Sequence, residues 1–305
     1  MFLKPPKAST DARVRSLLQK ASRRGYVEIV KLAVSRLDRS GDKTWLRSRA
    51  IVITFEECWP LASHLSIDRD LSSKQTALLR VTRGTKQKDE ASLGALAYCY
   101  SEGDESMLNF VPDRHLLRLV SEALQRPTAF FDWIGTQTRT PQSREIVLRA
   151  RLYLAAATWP WDKACILAAA LLSTACDIPA IESAEPPLEA FPYWVALDKH
   201  TPQGKAVLTE VAKQINSSYR KLIWANFYFE SARVNQLLPS PWWDAEKAWR
   251  TQRAGLSLEQ ADELWTHARP LVKERLDSAA RSLRAFVETA PPTAAQDELY
   301  DAPPV

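Results

Sequence analysis

Residues 140–174 read TPQSREIVLRARLYLAAATWPWDKACILAAALLST, and their pattern decides the fold class. Thr140-Pro141 is a helix start: the hydroxyl caps an orphan amide, and proline supplies a preset φ at the first helical position. An Ala- and Leu-rich helix to about Thr158 follows. Trp159-Pro160-Trp161 is a corner. Asp162 to Thr174 is then a helix apolar nearly all round, a pattern that calls for a buried position. This pair is the expected centre of the fold. Thr201-Pro202 and Ser240-Pro241 repeat the same grammar and are expected helix starts as well.

Working outward, the 3.6-residue period persists. Val14, Leu17, Leu18 and Ala21 share one helical face, and Tyr26, Ile29, Val30, Ala33 and Leu37 share the next. A third helix is expected from about Lys43 to Leu65, kinked or ended near Pro60. Others are expected over Leu71–Val81, opened by Ser72 or Ser73, over Asp89–Tyr100, and over Val111–Gln125, with Pro127 preventing continuation. Arg83 to Asp89 reads as a polar connector. Ser257-Leu258-Glu259-Gln260 is a capping box that starts a long helix toward Glu288, with a kink expected at Pro270. Only 8 glycines occur in 305 residues, which argues against glycine-dependent nucleotide folds and β-sandwiches. No strand alternation survives beyond a few residues, and no long internal repeat is evident. The fold class is therefore all-α, a multi-helix globular protein of about a dozen helices, divisible into two helical subdomains. Its expected parts are an extended leader at 1–10, a helical domain at 11–178 with a basic N-terminal lobe, a Pro-rich linker or loop at 179–192, a C-terminal helical domain at 193–288 and a disordered tail at 289–305.

The start Met1-Phe2-Leu3-Lys4-Pro5-Pro6-Lys7 breaks at two prolines and does not read as a signal peptide. No apolar run reaches the length of a membrane span; the best, Ala164 to Ala175, is too short. Cys58, Cys99, Cys165 and Cys176 form no CxxC pair and fit buried reduced thiols. A cytoplasmic location without membrane contact is the expectation.

Catalytic signatures are missing. Gly41-Asp42-Lys43-Thr44 lacks the upstream glycine and the strand of a phosphate loop. His64, His115, His200 and His267 belong to no metal motif. Glu56-Glu57 are helix neighbours about 100° apart and cannot form a facing dyad; one is expected to face solvent and the other to pair with a basic residue of the first two helices. Lys199 and His200 precede a capped helix start and could form a small anion site, against the plainer reading of an ordinary cap with solvated charges. Trp242 and Trp249 share a helix face and fit core packing or a protein interface better than base stacking. No cofactor and no metal are expected, and the chain reads as a binding or assembly component.

The charge is uneven. Residues 1–50 carry 13 Lys/Arg and 4 Asp/Glu within a chain whose net charge is +5, so the remainder is mildly acidic. Arg13, Arg15, Lys20, Arg23 and Arg24 are expected on or beside the exposed side of helix one, as a surface for nucleic acid or an acidic partner; the alternative is the solvated faces of two helices.

Ala21-Ser22-Arg23-Arg24-Gly25, Leu37, Gly41-Asp42, Trp45-Leu46, Arg49, Val52 and Glu56-Glu57, followed by Ala91, Leu93, Ala97 and Tyr98, resemble the helical, collar-like C-terminal region of clamp-loader-like AAA+ proteins of the RarA/MgsA/WRNIP kind. The resemblance covers about residues 20–100, lacks the ATPase module, and departs from the family at Cys58-Trp59-Pro60, where a glycine is expected. It implies oligomerisation or DNA-associated assembly without ATP turnover. The leading expectation is a non-enzymatic protein of DNA metabolism, with a protein–protein adaptor as the alternative. Gln296, Leu299 and Tyr300 resemble a short sliding-clamp docking peptide, while Asp297 and Glu298 fit it poorly; an inert solubilising tail is the competing reading.

Overall fold

The computed structural model describes residues 12–68, 70–187, 192–197, 199 and 201–289. Helices follow one another as α1 (Ala12–Arg24), α2 (Val27–Arg39), α3 (Lys43–Cys58), α4 (Leu71–Arg83), α5 (Asp89–Ser101), α6 (Arg114–Gln125), α7 (Pro127–Gly135), α8 (Pro141–Tyr153), α9 (Pro160–Ala175), α10 (Pro202–Gln214), α11 (Tyr219–Asn226), α12 (Pro241–Arg253) and α13 (Leu258–Glu288). Among the described residues there is no strand, only three isolated bridges, so the all-α expectation holds.

Local chemistry explains most starts and stops. Thr140 accepts from the Ser143 amide at 3.0 Å while Ser143 Oγ accepts from the Thr140 amide at 3.2 Å, a reciprocal cap. Thr201 accepts from the Gly204 amide at 3.1 Å. Ser240 also precedes a helix, but its hydroxyl is used otherwise: it accepts from the Lys88 amide at 3.3 Å and donates to Leu238 O at 2.9 Å. Asp70, rather than a serine, caps α4. Asp113 delays α6 to Arg114 by accepting from the amides of His115 and Leu116. Pro127 ends α6 and also opens α7, a helix the periodicity did not reveal. At Trp59 the chain tightens into a 3-10 turn through His64, with Pro60 in its first turn. α13 remains a helix across Pro270. Ala261, Trp265, Ala268, Val272, Leu276, Ala280, Leu283 and Val287 are buried along it in one stripe, and Pro270 is exposed. The packed stripe offsets the amide missing from the solvent side.

Two hydrophobic cores form, and neither follows chain order. The first unites α1, α2 and α4 with α10, α11 and α13; the second gathers α5 through α9 with Trp242 and Trp249 of α12. α3 lies between them, giving Leu46, Ala50 and Ile53 to the first and Ile51, Val52 and Phe55 to the second. The helical groups on either side of residues 179–192 therefore share a core. Part of that segment is tied to the body: the Ala184 amide donates to Arg83 O at 2.6 Å, and Glu182 O accepts from the Thr85 amide at 2.8 Å.

The expected central pair is corrected. α9 is buried from Ala164 to Ser173, but its main partner is α5, while α8 leaves Leu148 and Leu152 nearly half exposed. Gly94 is the reason. A Cβ there would lie 2.5 Å from Cys165 N and 2.6 Å from Ala164 C, so the two helices meet backbone to backbone.

Candidate ligand pocket and the ion network beneath it

Gly25, at φ +80°, ends α1, and the last turn of that helix points inward. Arg23 Nε donates to Glu57 at 2.7 Å, Nη2 to Glu56 at 3.2 Å and Nη1 to Ser231 O at 3.1 Å. The other Glu57 oxygen accepts from Lys88 Nζ at 3.0 Å, which also reaches Glu56 O at 2.9 Å. Arg49 bridges Glu56 at 3.0 Å and Asp162 at 2.9 Å. α1, α3, α9 and the connector that leads into α5 are thus cross-linked by charge at the seam of the two cores. Burial alone would raise the Glu56 carboxyl, but Arg49, Lys88 and Arg23 pull it down to about 2.

Lys88 ends a connector that is buried throughout: Thr85, Lys86, Gln87 and Lys88 are each at most 8% exposed. Its backbone is hydrogen-bonded to three other segments, at Glu182, Gln236 and Leu238, and Glu57, which is how a buried loop satisfies its polar groups. Beside it, burial pushes the Lys86 ammonium down to about 8 and the Cys58 thiol up to about 12.

Above the network lies a cavity of about 570 Å³. Arg23, Glu56 and Lys88 form its charged floor, Ala91 and Ala95 of α5 leave it space, and Trp161, Trp224, Phe227 and Trp243 supply aromatic walls. The wall is interlocked: Trp224 lies edge-on to Phe227 at 5.8 Å and stacks on Tyr228 at 6.0 Å, which in turn meets Trp243 at 5.3 Å. A π-helical turn at Phe227–Ser231 carries part of this wall, an element often found at functional sites. Arg250 lies 5.2 Å from the Trp161 ring, 5.2 Å from Trp224 and 4.5 Å from Trp249. A second cleft of about 610 Å³ adjoins and shares Val52, Trp161 and Asp162; it continues past Arg49 toward Trp45 and Trp159.

The basic surface expected on helix one is not formed as expected. Lys20, Arg23 and Arg24 are buried. Lys20 donates to Leu197 O. Arg24 pairs with Glu230 at 2.7 Å and lies 4.1 Å over the Trp194 ring. Arg15 forms two bonds to Asp42, at 2.7 and 2.8 Å, and Arg13 stands 5.8 Å from the Phe286 ring. Carboxylates distant in sequence claim most of this charge. Both Glu56 and Glu57 are paired, so the split into one solvated and one paired carboxylate is also corrected. Lys199 lines the cavity, 4.8 Å from the Trp224 ring and 4.4 Å from Phe227. His200, Gln296, Leu299 and Tyr300, with the leader 1–10, lie outside the described residues. All four cysteines are free, but Cys176 is exposed and Cys99 half-buried, so uniformly buried thiols are not found. Lys88, Trp161, Trp224, Glu246 and Arg250 were not legible as a site, because four separate segments contribute them; the only sequence signal was the excess of tryptophan.

Searches of protein-family models, curated proteins and solved structures find no match to this chain. Among the described residues no His/Cys/Asp/Glu group could hold a metal ion, and no helix is long and apolar enough to cross a membrane.

Glu90 of α5 is fully buried with neither carboxyl oxygen hydrogen-bonded, and burial raises it well above the ordinary 4.5. The unfolded chain releases this proton near that value and the folded chain keeps it, so stability falls as pH rises beyond 4.5. Glu90→Gln keeps the shape without the titration. Urea denaturation should find it more stable than the parent at neutral pH and equal to it near the ordinary carboxyl range. A constant difference across pH would contradict this assignment.

Proposed function

We propose that this chain is a non-enzymatic binding protein whose ligand occupies the aromatic cavity between its two cores. The observation that carries the reading is that cavity: its volume of about 570 Å³ is in the range of small-molecule sites, and it combines aromatic walls with a few buried polar groups. A binding role is favoured over catalysis by the chemistry of the lining. Glu56 and Glu57 neutralise Arg23 and Lys88, no histidine is among the described lining residues, and burial lifts the Cys165 thiol far from nucleophilic range.

Nucleic-acid contact through helix one loses its main support, because three of its five cations are buried. A role in assembly keeps one support, the collar-like pattern of residues 20–100, whose Arg23, Arg49, Glu56 and Glu57 belong to the ion network. The adjoining cleft, with Trp159 68% exposed, is suited to a protein partner, which favours the adaptor alternative over DNA.

Ala91→Phe tests the cavity reading, since the added ring enters empty space from an existing helix position. Native mass spectrometry of the full chain, incubated with a small-metabolite pool, should show a bound small molecule on the parent protein and none on the variant. The variant's melting temperature should be equal or higher, because it fills the void. A parent protein that stays unliganded, or a variant that binds equally, would remove the cavity from the argument.

A further inference from the structure

Phe227 of the π-helical turn lines the aromatic cavity, whereas the next two residues, Tyr228 and Phe229, line a different cleft of about 690 Å³. One wall of this cleft is a single face of α13, where Asp262, Thr266, Arg269 and Lys273 recur at i, i+4, i+7 and i+11. Arg233, just after the turn, and Lys247 of α12 complete it. Three separate segments thus bring basic side chains to one concavity.

The partners of these cations differ. Arg269 is engaged beneath the cleft, 3.5 Å from Glu230, which also pairs with Arg24 at 2.7 Å and accepts from the Tyr193 hydroxyl at 2.5 Å. It is left out of the balance. Arg233 and Lys273 are exposed and form no ion pair among the described residues. Lys247 is half-buried and lies 4.1 Å over the Phe229 ring. Asp244 and Asp262 act on it from nearby without an ion pair to either, and burial pushes its ammonium down in spite of them. Arg24, below, is also pushed down, by burial first and by the like charge of Arg233 as well. Arg233, Lys247 and Lys273 therefore face Asp262, the one acid among the described lining residues; Asp244 is exposed and lies outside the lining. Three cations less one carboxylate leave two. Scattered surface cations are ordinarily just solvated, but convergence in a cleft with low-dielectric walls focuses their field.

We infer that this cleft binds the phosphate of a small phosphate monoester, held between Arg233, Lys247 and Lys273. This does not rest on the aromatic cavity being occupied. A phosphate monoester carries nearly two negative charges at neutral pH and three acceptor oxygens, which suits two surplus cations and three donors. Arginine supplies a planar fork and lysine a point charge, both fitted to phosphate oxygens. A carboxylate or a phosphodiester brings only one charge.

The test is calorimetric titration of the full chain at low salt with phenyl phosphate, benzoate, diphenyl phosphate and a short thymidine oligonucleotide without a terminal phosphate. Phenyl phosphate should bind about tenfold or more tightly than benzoate or diphenyl phosphate, and more tightly than the oligonucleotide. The double variant Arg233→Ala, Lys273→Ala removes two exposed side chains without ion pairs, so the fold is kept; phenyl phosphate should bind it about tenfold or more weakly. Lys205→Ala, Lys213→Ala removes the same charge from exposed positions of α10 outside the cleft and should bind as the parent does. No binding of phenyl phosphate, equal binding of benzoate or diphenyl phosphate, or equal losses in the two double variants would overturn the site. Tighter binding of the oligonucleotide would assign the cleft to a nucleic-acid backbone and overturn the monoester.

Discussion

Glu57→Ala is expected to cost about 3–5 kcal/mol of folding stability, the usual penalty for removing one member of a buried charge cluster. Glu57 is 1% exposed and joins Arg23 at 2.7 Å to Lys88 at 3.0 Å. Without it Lys88, itself 2% exposed, keeps only the backbone carbonyl of Glu56 as an acceptor. The loss comes from charge left without a partner, not from the net value of the pairs, which desolvation largely cancels. The double variant Glu57→Leu, Lys88→Met removes both sides of one pair and should recover about half of the loss on that principle. Chemical denaturation of the three proteins separates these effects. A single variant within about 0.5 kcal/mol of the parent, the range of ordinary surface substitutions, would mean that the network is solvated and not structural.

Gly94→Val should cost about 3 kcal/mol, at the upper end of overpacking effects. The nearest atoms to a Cβ at this position are backbone atoms of α9, at 2.5 and 2.6 Å. No rotamer change relieves such a contact, so α5 and α9 must separate along the seam that carries Ala91, Ala95, Trp161 and Cys165 into the cavity wall. The same variant should therefore weaken binding at the cavity. Gly135→Ala is the matching control, since nothing lies within 4 Å of its Cβ position; there the gain in helix propensity should leave stability equal or slightly higher. Equal unfolding free energies for Gly94→Val and the parent protein would show that the α5–α9 contact is loose.

Both predictions concern residues the sequence brought into view without assigning their roles. Gly94 was a small residue on a helix apolar on one side, and nothing in its neighbours announces that α9 lies against it. One of Glu56 and Glu57 was expected to pair with a base of the first helices, and Arg23 pairs with both. Lys88, its second partner, belonged to a stretch that reads as a polar surface connector. Thr-Lys-Gln-Lys is polar in any local window; only the closure of other segments over it buries it.

The sequence by itself determined most of the helices, because their signals are local. Caps at Thr140, Thr201 and Ser257, prolines at first helical positions and the 3.6-residue spacing of apolar side chains each act within one or two turns. Tertiary structure decided where the charges went and where the cavity lies. Arg24 meets Glu230 and Arg49 meets Asp162, pairings across more than a hundred residues that no periodicity records. Lys20, Arg23 and Arg24 of the basic N-terminal stretch accordingly became internal anchors. A charge run reports composition, whereas the partner that neutralises it is chosen by packing, and in this chain the N-terminal helices pack on the C-terminal ones.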